Sequence, residues 1–261
     1  MSAIRSRDNP RVRRWRRLRD DAAARREARR ALLEGPHLVA AYLGSGGTPR
    51  ALIASESALR REPTRSLLRR ASVSPTILAD RVFASIADAE APAGIAAEIA
   101  LPDHRPELGS SPGCVFLDCV QDAGNVGAIL RSAAAFGLTD AVLGRGCADA
   151  WSPKVLRAAA GGHFFLRIAE GADLAAEIRR FGGRILCTVP RAGVGLWEAD
   201  LSGPVGWVFG TEGRGVSEAL VRAAQLKVTI PMAGTAESLN VAAAAAVCFY
   251  EAARRKGCVS Q

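Results

Sequence analysis

Cys114-Val-Phe-Leu-Asp118, then Asp122-Ala-Gly-Asn125-Val-Gly127-Ala-Ile-Leu-Arg131, then Asp140-Ala-Val-Leu143 read as strand, helix and strand in succession. The two short runs are apolar without alternation, the mark of strands buried on both faces. Between them, at 100° per residue, Val126, Ile129, Leu130 and Ala133 fall on one face, which predicts a helix over 125–136. Downstream the same grammar repeats. Helices are expected near 153–160, at 173–181, at 215–224 and at 238–255, and strands at Arg184-Ile-Leu-Cys-Thr188, Val205-Gly-Trp-Val-Phe209 and Lys227-Val-Thr-Ile230. Apolar strands separated by amphipathic helices imply an α/β domain with a mostly parallel sheet and helices on both faces, whose ligands bind at the carboxyl ends of strands.

Upstream, residues 101–113 lose all periodicity and collect Pro, Gly and Ser, the composition of a linker. Before them, from Leu32 to Leu101, short apolar runs at 31–33, 51–54, 76–79 and 94–101 alternate with helical patterns at 37–43, 64–71 and 80–87. This suggests a second, smaller α/β domain. Residues 9–31, rich in Arg and Ala, predict one helix started by Asn9-Pro10. The expected organisation is an N-terminal domain over 1–104, a linker over 105–113 and a C-terminal domain over 114–261.

Basic residues exceed acidic ones by nine, which favours a polyanionic partner. The excess is uneven, at +7 for residues 1–112 and +2 for 113–261. Twelve Arg face four acids in the first 30 residues, so the first helix is either a solvated charged face or an RNA contact. The start of the chain has no apolar h-region, and Val241 to Tyr250 is about half the roughly 20 residues a membrane span needs. A cytoplasmic protein without membrane association is expected. Cys114, Cys119, Cys147, Cys187, Cys248 and Cys258 are scattered, mostly in apolar segments, and read as reduced core thiols, with no metal site.

Three loops that follow strands hold the polar groups a site needs. In the first, Gly124 and Gly127 permit close backbone approach, Asn125 is placed to cap the helix, and Arg131 lies one turn beyond Gly127, suited to a phosphate or ribose or simply to solvent. The second, Phe209-Gly-Thr-Glu212-Gly-Arg-Gly215, lacks the G-x-G-x-x-G order of a dinucleotide loop. Its carboxylate would repel a pyrophosphate and tolerate a sulfonium or an amine. In the third, Ile230-Pro-Met-Ala-Gly-Thr-Ala-Glu-Ser238-Leu-Asn240, capping of the following helix accounts for Ser238 or Asn240 but not both. The helix beyond is mostly Ala and Val, fit for close packing in the core or against a second subunit.

Together these segments resemble the TrmH/SpoU branch of the SPOUT methyltransferases. Asn125-x-Gly127-x-x-x-Arg131 is similar to the first family motif, Gly210-x-Glu212-Gly213-x-Gly215 to the second, and Ile230-Pro231-Met232 with Ser238-Leu239-Asn240-Val241 to the third. Ser152 to Gly161 resembles the family's intermotif segment. The stretch from Asn9-Pro10 through Glu34-Gly35 to Gly94-Ile95 is similar to the substrate-binding domain of ribosomal-RNA members. Thr211 departs from the commoner Asn or Ser, and Ala31-Leu32-Leu33 from the usual aromatic before Glu34-Gly35.

The resemblance implies a C-terminal domain tied in a deep trefoil knot, where pattern alone gives an unknotted doubly wound sheet, and an N-terminal RNA-binding domain. It implies a homodimer with its site near the subunit interface, and S-adenosylmethionine as methyl donor for a ribose 2′-hydroxyl in RNA. Gly210, Ile230 and Leu239 would touch the cofactor, with Thr188 and Met232 as neighbours. Arg131 would act as base or would only orient ribose and phosphate. Asn125, Ser238 and Asn240 would position substrate, and Glu212 would orient the loop or Arg131. The sulfonium methyl needs no metal; the poor nucleophilicity of a hydroxyl is the difficulty. The extra N-terminal domain favours 23S ribosomal RNA over transfer RNA by analogy. A transfer-RNA ribose methyltransferase is the alternative. A non-catalytic RNA-binding protein would be expected to lose Arg131, Glu212 or Asn240, and none is lost. A base methyltransferase of the related knotted families fits less well, because Ser238-Leu239-Asn240 argues for ribose.

Overall fold

Asp21 breaks the basic N-terminal segment, expected as one helix, into α1 (Pro10–Asp20) and α2 (Ala22–Ala28). Its backbone is extended, and its carboxylate accepts hydrogen bonds from Ala23 N (2.7 Å) and Ala24 N (3.2 Å). A local cap outweighs the helix propensity of the Arg and Ala around it. The computed structural model describes residues 3–211, 213–234 and 238–257. The chain divides into two units, Met1–Asp103 with Trp151–Phe164, and His104–Ala150 with Phe165–Gln261.

In the first unit, β1 (Arg30–Glu34), α3 (Pro36–Gly44), β2 (Ala51–Ser55), α4 (Thr64–Arg70), β3 (Pro75–Leu78), α5 (Asp80–Ala84) and β4 (Ile95–Ala100) follow α2. The sheet has the order β1-β4-β2-β3, antiparallel except for the parallel β2–β3 pair. Val12, Trp15 and Leu18, three apart on α1, bury one helix face against Leu32, Ile53, Leu78, Phe83 and Ile86. That leaves the arginines between them outside. Glu34-Gly35, quoted above as a motif, works locally: the Glu34 carboxylate accepts from Asp88 N (2.6 Å) and Ala89 N (3.3 Å), and Gly35 turns the chain with φ +92°.

Glu98 on β4 is fully buried, and it accepts hydrogen bonds from Arg14 Nη2 (2.8 Å), from the Trp15 indole Nε1 (2.7 Å) and from Arg30 Nη1. Burial alone would raise its pKa, but the hydrogen bonds from Arg30, Arg14 and Trp15 outweigh that and hold it below the ordinary carboxyl value. The stability this adds is fully present above the unfolded value of about 4.3 and is lost as pH falls through the lower folded value. Glu98→Gln offers one acceptor oxygen to three donors. With Arg14 and Arg30 partly exposed, the cost is expected near 2 kcal/mol at pH 7, below the range for fully buried pairs. Thermal melts should show the difference shrinking as pH is lowered below about 4. A pH-independent difference would remove the carboxylate charge as its cause.

The second unit opens with β5 (Gly113–Leu117), α6 (Ala123–Ala135) and β6 (Asp140–Gly144). Residues 151–164 then belong to the first unit. There Ser152 caps α7 (Pro153–Ala159), Arg157 pairs with Asp88, and Phe164 meets Tyr42 edge to face at 5.2 Å. The second unit resumes with β7 (Arg167–Ala172), α8 (Leu174–Arg180), β8 (Arg184–Thr188), β9 (Val194–Gly195), β10 (Val205–Phe209), α9 (Glu218–Ala223), β11 (Leu226–Thr229) and α10 (Val241–Arg255). The seven strands lie in the order β7-β6-β5-β10-β8-β11-β9, every pair parallel.

Alternation along a strand sends successive side chains to opposite faces. Val208 therefore packs with Phe116 and Ile185 under α8 and α9, while Phe209 turns to Phe249 of α10, edge to face at 5.7 Å. The α/β fold with a parallel sheet is as expected. Helices α9 and α10 start three residues later than the sequence pattern suggests. Two strands, β7 and β9, lie outside the apolar runs that predict strands. β7 is an edge strand with little apolar burial, held instead by Arg167, whose Nε (2.7 Å) and Nη2 (2.8 Å) both donate to the buried Asp140 carboxylate. β9 is two residues long. Cys114, Cys147, Cys187 and Cys248 are free and buried or half-buried, whereas Cys119 is free but exposed, against the core reading; Cys258 lies outside the described residues. No helix among the described residues is long and apolar enough to cross a membrane.

Candidate active site

The strands β8, β10 and β11 end side by side at Thr188, Phe209 and Thr229. Hydroxyls hold the loops that leave them. Thr188 Oγ1 donates to Val208 O (3.3 Å), and Thr229 Oγ1 donates to Val189 O (3.1 Å) while accepting from Gly193 N (3.0 Å).

After β10, Thr211 N donates to Gly215 O (3.1 Å) and Gly215 N donates back to Thr211 O (2.8 Å), closing a five-residue loop. Gly215 makes the turn with φ +67°. Thr211 Oγ1 accepts from Arg214 N (3.1 Å), so the departure from Asn or Ser keeps a polar brace. Gly210 has no substitute, because a Cβ there would lie 2.1 Å from Gly215 O. The following helix, α9, is tied back by Ser217 N donating to Asp118 Oδ2 (2.8 Å) at the end of β5. In the sequence Asp118 shows only as the end of a strand, and a carboxylate at a strand's carboxyl end is the one signal of its role.

These loops and the start of α10 enclose a cavity of about 330 Å³. Thr188, Gly210, Ile230, Met232, Ser238 and Leu239 line it, so all five residues expected to touch a cofactor meet around one space. Val189, Val221, Val241 and Ala244 complete an apolar wall. Met232 and Leu239 are 36% and 39% exposed, large apolar side chains left open at the cavity.

Asn240 joins the third motif to the first. Its Oδ1 caps α10 by accepting from Ala242 N (2.9 Å) and Ala243 N (3.2 Å), and its Nδ2 donates to Asn125 Oδ1 (2.9 Å). Capping thus accounts for Asn240 and leaves Ser238 at the cavity. Asn125 is not the cap of α6. Asp122 takes that place, accepting from Asn125 N at 2.7 Å, because the helix begins two residues earlier than expected. Arg131 is exposed on α6 and does not line the cavity, and its guanidinium makes no hydrogen bond or ion pair among the described residues. Glu212 lies outside the described residues.

A cavity of this size at the carboxyl ends of the parallel strands β8, β10 and β11 lies at the edge of the sheet where open α/β folds bind nucleotide-like ligands. Fold and site define an α/β enzyme acting with such a ligand. Residues 112–250 match the SpoU rRNA Methylase family, and residues 9–97 match the MRM3-like substrate binding domain. A Bacillus subtilis 23S rRNA (guanosine(2553)-2′-O)-methyltransferase, RlmP, is 32% identical over 96% of this chain and 98% of its own length. An uncharacterized tRNA/rRNA methyltransferase of Synechocystis is 34% identical over 100% of this chain and 96% of its own. The crystal structure of the SpoU methyltransferase AviRb from Streptomyces viridochromogenes in complex with AdoMet superposes with a TM-score of 0.85 at 26% identity, over 95% of this chain and 98% of that one. This chain belongs to the SpoU rRNA methylase family, as its three motifs implied.

Proposed function

We propose that this chain is a cytoplasmic, homodimeric enzyme that methylates a ribose 2′-hydroxyl in 23S ribosomal RNA, with S-adenosylmethionine as donor. The observation that carries the reading is the convergence of the second and third motifs on one cavity while Asn240 ties the third to the first. The apolar wall fits an adenosine, and the open backbone at Gly210 fits close approach of a ligand. When bound, S-adenosylmethionine supplies a methyl group already activated on a sulfonium. Gly210, Ile230 and Leu239 hold the adenosine, flanked by Thr188 and Met232. Asn125, Ser238 and Asn240 orient the ribose, and Glu212 steadies the loop. A guanidinium donates hydrogen bonds and accepts none, so Arg131 positions the ribose and its phosphate, and proximity supplies much of the rate. Maps of 2′-O-methylation in total RNA from cells with and without the gene test this; the gene's loss should erase one 23S site. Unchanged maps would reject the reading, and a lost transfer-RNA site would move the substrate.

The expected domain division and the RNA-binding role of the N-terminal domain enter the same proposal. Arg13, Arg16 and Arg17 on the outer side of α1 make no ion pair among the described residues, unlike Arg14. Replacing all three with Gln should weaken 23S-fragment binding and reduce the slope of log K against log salt by up to about 3, one per phosphate contact. An unchanged slope would make this face a solvated one.

Dimerisation is supported by α10, whose inward residues pack on α6 while Ala243, Val247 and Tyr250 stand exposed as a second apolar stripe. A second copy of this chain is the proposed cover; sedimentation at the single-chain mass would reject it. The trefoil knot is proposed for the second unit, where β10 lies between β5 and β8, both earlier in the chain. Mechanical unfolding that recovers the full contour length of an open chain would reject it.

A further inference from the structure

Arg214 is the only charged residue among the described residues that line the cavity. The loop that carries it is closed by the paired backbone bonds between Thr211 and Gly215, and its own N–H is held by Thr211 Oγ1 at 3.1 Å. Gly213 and Gly215 flank it with no side chains, so from Gly213 to Gly215 the guanidinium is the one functional side chain offered to the cavity. It makes no hydrogen bond or ion pair among the described residues, whereas the side chains of fifteen other arginines do.

We propose that Arg214 is a positioning residue that pairs with the α-carboxylate of the methyl donor's amino-acid part. The inference rests on the cavity being the donor site. A nucleoside sulfonium with an amino-acid tail carries two positive groups, the sulfonium and the ammonium, and one carboxylate. A cation beside either positive group would weaken binding, so its favourable partner is the carboxylate, which the planar guanidinium can grip with two parallel N–H bonds. The apolar wall takes the adenosine, and Arg214 then fixes which way the tail runs. Pairing at this exposed position sets affinity and orientation and leaves the chemistry of transfer to other groups.

The test is a cycle of two proteins against two ligands, read by calorimetry on the full-length chain. The ligands are S-adenosylhomocysteine and its decarboxylated analogue, which differ only in the carboxylate. Arg214→Ala should weaken S-adenosylhomocysteine by about three- to fivefold and leave the decarboxylated ligand unchanged within error, the size of an exposed charged pair at the upper end of its range. Arg214→Lys, which keeps the charge but not the fork, should recover part of the loss, and added salt should reduce the wild-type preference. Equal weakening of both ligands, or of neither, would overturn the proposal. If neither ligand loses affinity while binding of a 23S fragment falls, Arg214 serves an RNA phosphate instead. If wild type binds neither ligand, the cavity is not the donor site, and that reading fails before Arg214 is in question.

Discussion

Replacing Arg131 with Ala is expected to lower ribose methylation by at least about a hundredfold while leaving S-adenosylhomocysteine binding within about twofold, the signature of a lost positioning group. The physical case is one of separation. Arg131 is exposed on α6, unpaired among the described residues and outside the cavity wall, so its removal costs the fold little and the donor pocket nothing. Asn125 lies six residues earlier on the same helix, about 9 Å along its axis, and is bound to Asn240 next to the cavity's Ser238 and Leu239. The helix thus carries one group fixed beside the pocket and one free to meet the substrate. Single-turnover assays with saturating donor separate the cases. Near-normal turnover would remove Arg131 from the mechanism, and a parallel loss of donor affinity would mean that it supports the pocket.

What could be read beforehand followed from how each element is buried. Strands β5, β6 and β10 are buried at every residue, and their apolar runs announce it everywhere except at Asp140. β7 escaped because its hold on the sheet comes from one arginine reaching a buried aspartate, which leaves no periodic trace. The break at Asp21 escaped because composition favours a continuous helix, while a single cap decides otherwise. The three motifs pointed to the cavity residues through their likeness to a family. The contact between Asn125 and Asn240 spans 115 residues and is set by the topology of the sheet, which no local pattern encodes. Arg214 carried no signal either, since an arginine between two glycines reads as any surface turn until the loop is seen to close beside a cavity.

Gly210→Ala is expected to abolish measurable donor binding. A Cβ at Gly210 would stand 2.1 Å from Gly215 O, 2.3 Å from Gly215 C and 2.4 Å from Val216 N, all backbone atoms that cannot swing aside. The loop would have to give up the Thr211–Gly215 pairing that closes it, with a cost of about 1–3 kcal/mol in stability and a larger loss of affinity. Sheet and helices would persist, and a melt showing one cooperative transition a few degrees lower would confirm that the damage is local. Wild-type affinity in this variant would mean that the loop does not form the pocket. Together with Arg131→Ala it also tests the dimer. Each variant alone is expected to be inactive. If Arg131 of one subunit serves the pocket of the other, a mixed dimer holds one site with both groups intact. Mixing equal amounts under conditions that exchange subunits should then restore about a quarter of wild-type activity, since half the dimers are mixed and each has one good site. If Arg131 serves the pocket of its own chain, no mixed dimer contains a complete site and the mixture stays inactive.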